Sequence, residues 1–178
     1  VWDGLPAYWK NYNTREVSRE FGSHDVFWQM NRLDATQAHS GKQSLRIQTN
    51  DQVTRNGFSS HNSPVSMGHP FTFSIWLKAD QPNIPATLIV WETYGKHTRK
   101  PIVVGTQWQR FSLTVDDPKK TTARGGLQLK TPAVIWADDA QMQVGSIPTD
   151  YEPASGDVVF TQDEQPNLQP TRSYALAQ

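Results

Sequence analysis

The stretch FTFSIWLK, residues 71–78, alternates apolar with polar side chains at a period of two. Successive side chains of a β-strand point to opposite faces of a sheet, so this pattern predicts a strand with one buried face. Trp76 would point away from the core, because it shares its parity with polar residues. The face predicted to be buried carries Phe71, Phe73, Ile75 and Leu77.

The same period recurs along the chain and predicts further strands at SLRIQT (44–49), ATLIVWETY (86–94), PIVV (101–104), WQRFSLTV (108–115), GGLQLK (125–130) and AVIWADDAQMQV (133–144). Polar, glycine-containing clusters such as HSGK (39–42) and ARGG (123–126) are typical of the turns between strands. No extended stretch shows a convincing period of 3.6, so long helices are not expected. Together these signals predict an all-β chain, folded as a two-sheet antiparallel β-sandwich of the jelly-roll type.

Composition narrows the class of protein. A chain of 178 residues is of ordinary size for one domain. Its 17 basic and 17 acidic residues balance, which argues against a general nucleic-acid binder or a membrane-surface binder. No apolar run is long enough to span a bilayer, and the absence of cysteine removes thiol nucleophiles and disulfides. Seven Trp, seven Phe and five Tyr in a hydrophilic chain indicate an aromatic core or a stacking surface.

The last part of the chain differs from the rest. Residues 156–178 lose the alternation and gain Gln and Pro. We therefore predict one sandwich domain over residues 1–153, and a linker or the start of a following domain over residues 154–178. Because the chain begins with Val1 and not Met, we expect it to be a mature or excised segment of a longer protein.

The adjacent carboxylates Asp138 and Asp139 raise the question of catalysis. Glycoside cleavage needs two carboxylates facing each other across a cleft, about 5–9.5 Å apart. Neighbours on a strand point to opposite faces, so these two cannot form that pair. The five His residues show no metal-ligand spacing, and no Gly-x-Ser-x-Gly motif is present. The chain by itself is therefore not expected to be an enzyme.

Four segments carry a resemblance to a known family: AHSGKQSLRI (38–47), PFTFSIWLKAD (70–80), GTQWQRFSLTV (105–115) and WADDAQMQVGSIPTDYEP (136–153). In this order they resemble jelly-roll carbohydrate-binding modules of the group typified by families four, nine and twenty-two, which have a galactose-binding-like fold. The resemblance covers about residues 1–153, and the Phe-Glu pair of the group's first motif would precede Val1.

The resemblance implies a binding role. It implies a non-catalytic module that attaches a larger secreted, bacterial-type protein to a polysaccharide or oligosaccharide, outside the cell or at its surface and beside flanking domains. Similar domains also serve as spacers in large surface and phage tail proteins. The alternative is therefore a structural or protein-interaction sandwich without affinity for sugar.

Sugar rings present apolar C–H faces, and an exposed Trp or Tyr offers them a flat partner. The candidates for such contacts are Trp28, Trp76, Trp91 and Tyr94, and we expect at least two of them to line one groove. The alternative for each is packing inside the domain. Trp136 shares its parity with Met142 and is expected in the core.

Parity within residues 133–144 also places Asp138 inward and Asp139 outward. A buried carboxylate is costly without a cation or several hydrogen-bond donors. In the family that the chain resembles, the matching aspartate helps to hold a structural calcium ion, together with backbone carbonyls of the Ser-Gly-Lys turn. The resemblance therefore implies a calcium site at Asp138 and the Lys42 carbonyl, since oxygen ligands suit this hard cation. The alternative is that Asp138 caps backbone amides.

Overall fold

The structure is a computed structural model, and it describes residues 9–11, 30–51, 55–60, 62–92 and 97–152. These residues form strands joined by turns, which confirms the predicted all-β class. The strands are β1 (Trp9–Asn11), β2 (Asn31–Asp34), β3 (Ser44–Thr49), β4 (Asn56–Ser60), β5 (Ser63–Pro64), β6 (Phe71–Ala79), β7 (Ile84–Glu92), β8 (His97–Val104), β9 (Gln109–Val115), β10 (Thr122–Leu129) and β11 (Ala133–Val144).

The strands pair antiparallel in two sheets. The six-stranded sheet has the order β1-β4-β10-β7-β8, with β5 paired to β10. The five-stranded sheet has the order β2-β3-β11-β6-β9. Except for the pairs β2–β3 and β7–β8, neighbouring strands are not consecutive in the sequence, as in a jelly roll, so the predicted β-sandwich is confirmed. We call the side of each sheet that faces away from the core its outer face.

The core consists of side chains at alternate positions of both sheets. In β6 the predicted inward residues are all buried, and the strand pairs with β9 and β11 on either side. Each fully buried Leu, Ile or Phe contributes roughly 2 kcal/mol through removal of apolar surface from water. The largest of these side chains are Phe58, Phe71, Phe73, Ile47, Ile75, Leu77, Leu88, Ile89, Leu127, Leu129 and Ile135, and all except Ile89 belong to the core cluster.

The segment ARGG (123–126), predicted as a turn, lies inside β10. The structure explains its two glycines by close packing on both faces of the sheet. A Cβ atom on Gly125 would lie 2.3 Å from the ring of Phe73, which comes from the opposite sheet. A Cβ atom on Gly126 would lie 2.9 Å from Cζ3 of Trp91 on the outer face. Glycine is required here because neighbours approach the backbone, and the turn prediction is wrong.

A β-bulge in β11 overturns the predicted orientation of its side chains. Asp138 pairs with Trp76, but Ser74, two residues away on β6, pairs with Gln141, three residues away on β11. One extra residue on β11 inverts the parity, and Asp139 takes a left-handed φ of 45° within the bulge. Before the bulge the buried positions are therefore Ala133, Ile135 and Ala137.

The prediction that Trp136 lies in the core is wrong for the same reason. Trp136 pairs with Lys78 and Arg46, and it lies half-buried on the outer face of the five-stranded sheet. The predicted inward orientation of Asp138 is also wrong, because Asp138 pairs with Trp76 and lies half-buried on the outer face. Asp139 binds His39, whose ring stacks on Trp76, so its side chain lies on the outer side as well, where it is only 7% exposed.

Two further predictions fall partly or wholly outside the described residues. The linker proposed for residues 154–178 lies outside them, as do residues 1–8 and 12–29 of the predicted domain. Within the part of the chain that the structure describes, no helix is long and apolar enough to cross a lipid bilayer.

Candidate functional site

Two of the four predicted stacking residues lie among the described residues, and they belong to different sheets. Trp76 lies on β6 in the five-stranded sheet, and Trp91 lies on β7 in the six-stranded sheet. Both side chains point away from the core, so they occupy opposite sides of the sandwich. Trp28 and Tyr94 lie outside the described residues. Sugar contact by any of the four stays a prediction.

Trp76 is covered on one side by the turn that follows β2. The imidazole of His39 stacks on its ring with centroids 3.8 Å apart and an interplanar angle of 15°. The edge of the same imidazole meets Trp108, with centroids 5.8 Å apart. One face of the Trp76 ring is therefore already used inside the molecule.

Asp138 and Asp139 anchor this turn to β11. Oδ2 of Asp138 accepts hydrogen bonds from the backbone N–H groups of His39, at 2.8 Å, and Ser40, at 3.2 Å. Asp139 binds the two side chains: its Oδ2 lies 2.6 Å from Nδ1 of His39, and its Oδ1 accepts from Oγ of Ser40 at 2.5 Å. Burial, and then the charge of Asp139, raise the pKa of Asp138 above its usual value, against the three backbone hydrogen bonds that it accepts.

The described residues favour amide capping by Asp138, the alternative to the calcium site. Oδ1 of Asp138 accepts from the backbone N–H of Asp139 at 2.9 Å, so both of its oxygens face donors. Calcium takes about six to eight oxygen ligands. Among the described residues, no three His, Cys, Asp or Glu side chains are placed to share a metal ion. These residues do not complete a calcium shell by themselves, and calcium at Asp138 and Lys42 stays a prediction.

Elsewhere on the outer face of the five-stranded sheet, Asp34, Arg46 and Lys78 have partners within the sheet and its turns, while Arg32 is exposed. Asp34 accepts from Nε1 of Trp136 at 3.0 Å and lies 3.9 Å from Nε of Arg46. Burial opposes ionisation of Asp34, but hydrogen bonds from Thr36 and Trp136 and the charge of Arg46 lower its pKa from 3.8 to about 2. Lys78 donates to Gln37 at 2.7 Å.

The outer face of the six-stranded sheet carries one cross-strand row of functional side chains. Arg124 of β10, Trp91 of β7 and His97 of β8 are direct neighbours in the register and share this face. The guanidinium carbon of Arg124 lies 5.2 Å from the centroid of the Trp91 ring, within reach of a cation–π interaction. Trp91 itself is 6% exposed. His97 is exposed at the end of the row.

Two more arginines belong to this surface. Arg99 is exposed on β8, beside Ile89 of β7. Arg55, just before β4, donates from Nε at 2.7 Å and from Nη2 at 3.0 Å to the side-chain oxygen of Gln128, with the amide turned to face it. We call Arg55, His97, Arg99 and Arg124 the basic face.

Sequence reasoning located part of this surface and missed part of it. It named Trp91 as a candidate for ligand contact. It missed Arg124, because the two glycines that follow suggested a turn. The signal that could have found Arg124 is the alternation TARGGLQL itself, with Ala123, Leu127 and Leu129 on one side and Arg124 on the other.

Comparison with known proteins identifies the fold. Among solved structures, a family 61 carbohydrate-binding module in complex with β-1,4-galactotriose matches with a TM-score of 0.58 and 9% identity, covering 80% of this chain and 92% of that one. The xylan-binding family 22 module of Paenibacillus barcinonensis matches with a TM-score of 0.56 and 16% identity, covering 79% and 88%. The enzymatically active domain of a bacteriophage tailspike protein 4 matches with a TM-score of 0.54 and 12% identity, covering 81% and 21%.

No protein-family model matches the chain, and a search of the curated proteins found no match. At these low identities the structural likeness concerns the fold. The chain has the jelly-roll sandwich of carbohydrate-binding modules of the family four, nine and twenty-two type, as the sequence resemblance indicated.

Proposed function

We propose that this sandwich is a non-catalytic carbohydrate-binding module, and that the outer face of its six-stranded sheet receives a polysaccharide or oligosaccharide. The observation that carries the proposal is the row formed by Arg124, Trp91 and His97, in which an aromatic ring lies between two hydrogen-bonding groups. Carbohydrate offers apolar ring faces and many hydroxyl groups, so a rigid sheet with such a row suits it.

The outer face of the five-stranded sheet suits a ligand less well. Its Trp76 is stacked by His39, and Asp34 accepts a hydrogen bond from Trp136, while Arg32 on β2 is exposed. A ligand there would have to displace these contacts, and their loss would offset the affinity gained. The six-stranded sheet is therefore our choice for the binding surface.

A binding role fits a module attached to other domains. A module that holds its parent protein on a polysaccharide raises the effective concentration of substrate at an attached domain without doing chemistry. The matched structures include modules whose names record xylan and β-1,4-galactotriose. We infer a similar partner here, in a secreted protein of bacterial type with flanking domains.

The second candidate function is a spacer or protein-interaction sandwich without affinity for sugar. The 6% exposure of Trp91 favours it, because a ring so covered is not an open stacking platform. The match to part of a tailspike protein shows that the fold also occurs inside a much longer chain.

Affinity gel electrophoresis of the isolated chain separates the two candidates. Gels containing xylan, β-1,4-galactan, polygalacturonate or a sulfated galactan would be run beside a gel without polymer, with bovine serum albumin as the non-binding reference. The proposal predicts retardation by at least one polymer, accompanied by a change in tryptophan fluorescence. Unchanged mobility in every gel would leave the spacer as the better account.

A further inference from the structure

The basic face concentrates positive charge on one side of a chain whose net charge is zero. Among the described residues of the strands in this sheet, the acidic side chain is Glu92. Glu92 is 2% exposed and follows the parity of Val90, which belongs to the core. The described strands therefore place cations, and no carboxylate, on the outer face.

We infer that the glycan bound here is anionic, with carboxylate or sulfate groups along its chain. This inference rests on the proposed function and specifies its ligand. A guanidinium group presents several N–H donors in a planar fork that matches such oxyanions bidentately, and these charge-assisted bonds are stronger than bonds to a neutral hydroxyl. A neutral polysaccharide would use little of what Arg99 and Arg124 offer.

Trp91 supports this recognition by holding Arg124 in place. The guanidinium lies over the indole ring, 5.2 Å from its centroid. The ring in turn fits against Gly126, where any Cβ atom would approach it to 2.9 Å. An arginine fixed in this way loses less side-chain entropy when it binds an anion.

The register gives the direction of the ligand. Arg124 and His97 lie two strands apart in one row, which corresponds to about 10 Å between their Cα atoms. Arg99 lies two residues along β8 from His97, on the same face. A glycan that crosses the strands from β10 to β8 would meet a cation on each side of Trp91. Its anionic groups would therefore be bound at two or more positions.

A nucleic acid is the other polyanion that a basic surface could bind. Phosphate-dominated binding depends on an excess of basic residues, and this chain has 17 basic and 17 acidic residues. The basic face is a local feature of one sheet, which favours a ligand recognised over a few sugar units. Single-stranded DNA therefore enters the test as a competitor.

The test measures affinity of the full chain for chemically matched polymers. Biolayer interferometry would compare polygalacturonate with its carboxyl-reduced form, and a sulfated galactan with its desulfated form, each with a single-stranded oligonucleotide as a further analyte. We expect at least tenfold tighter binding to one anionic member than to its neutral counterpart, with affinity falling as salt is raised. The anionic polymer that binds more tightly shows whether the basic face recognises carboxylate or sulfate groups.

Variants test which side chains produce the preference for the anionic polymer. Arg99→Gln should weaken binding to the anionic polymer by about tenfold, the size expected for one charge-assisted hydrogen bond. Arg124→Lys keeps the charge but not the fork, so it should bind less tightly than wild type and more tightly than Arg124→Gln. The matched control is Arg32→Gln, which removes an exposed arginine from the other sheet and should leave affinity unchanged.

Each remaining outcome counts against the inference in a different way. Equal affinity for the charged and neutral members overturns it and leaves the proposed function standing. No affinity for any polymer overturns both. Oligonucleotide binding as tight as glycan binding would replace it with non-specific attraction of polyanions. An equal loss of affinity in Arg32→Gln and Arg99→Gln would show that net charge, and not the basic face, is responsible.

Discussion

The aromatic and charged side chains have different partners on the two outer faces of the sandwich. On the five-stranded sheet, the ring of His39 stacks on Trp76. Asp34 accepts a hydrogen bond from Trp136 and lies close to Arg46. On the six-stranded sheet, Arg124 lies over Trp91 and no described strand residue on that face supplies an anion.

The difference separates a face whose polar groups bind one another from a face whose exposed cations can pair with an anionic ligand. A charge that is already paired contributes to the stability of the domain, and breaking the pair costs free energy of unfolding. An exposed cation such as Arg99 contributes little to stability, but it can pair with an anion from outside. Substitutions on the first face should therefore change stability, and substitutions on the second should change affinity.

The strongest test of this division is Asp139→Ala. Asp139 is 7% exposed and binds His39 and Ser40, so its removal leaves two polar side chains without their partner and places Ala at a left-handed φ of 45°. We expect the free energy of unfolding to fall by about 2–3 kcal/mol in urea titrations. Affinity for a bound glycan should not change.

Asp139→Asn is its matched control. Asn tolerates the left-handed conformation and keeps one acceptor oxygen, so the loss of stability should be roughly half as large. If Asp139→Ala were as stable as wild type, the five-stranded face would not depend on this anchor, and the division between the faces would break down.

Calcium offers a second test of the same face. If the ion predicted at Asp138 and the Lys42 carbonyl binds the folded chain, calcium at about a hundred times its dissociation constant should add about 2.7 kcal/mol of stability. The melting temperature would rise with calcium and fall with chelator, and Asp138→Asn would remove most of the difference. Identical melting curves with calcium and with chelator would leave Asp138 as a cap for the amides of His39 and Ser40.

The smallest expected effect is the pH dependence that Asp34 supplies. Its pKa is lowered from 3.8 to about 2, so its carboxylate stabilises the folded chain above about pH 4. That contribution is lost as the pH falls from about 4 to about 2. Asp34 is half-buried and keeps partial contact with solvent, so we expect this contribution to stability to be about 1–2 kcal/mol. Urea titrations at pH 6 and at about pH 2 should show Asp34→Asn less stable at the higher pH and equal to wild type at the lower.

The fold could be predicted from the sequence because the alternation of apolar and polar side chains is a property of each short segment. The alternation in residues 71–78 places Phe73 and Ile75 inward whatever the rest of the chain does, and β3 begins and ends at the predicted residues, Ser44 and Thr49. In β11 the bulge inserts one residue, and a strict period of two then assigns Trp136 to the wrong face. No residue of the segment ADDAQ (137–141) indicates that the strand contains an extra residue.

The site could be predicted only in part, because sheet membership depends on pairing between distant segments. The parity of Trp76 correctly places it outside the core. It does not reveal that β6 and β7, although adjacent in sequence, belong to different sheets. The contact of Arg124 with Trp91 likewise depends on the pairing of β10 with β7, which joins residues 33 positions apart.

The most direct test of the central claim is an NMR titration of the chain with the oligosaccharide that gives the tightest binding. Indole N–H and arginine side-chain signals would be followed as the ligand is added. The account predicts that the signals of Trp91, Arg99 and Arg124 shift, while the indole signals of Trp76 and Trp136 stay in place. Shifts at Trp76 and Trp136, with those of Trp91 and Arg124 unchanged, would contradict it and move the binding surface to the five-stranded sheet.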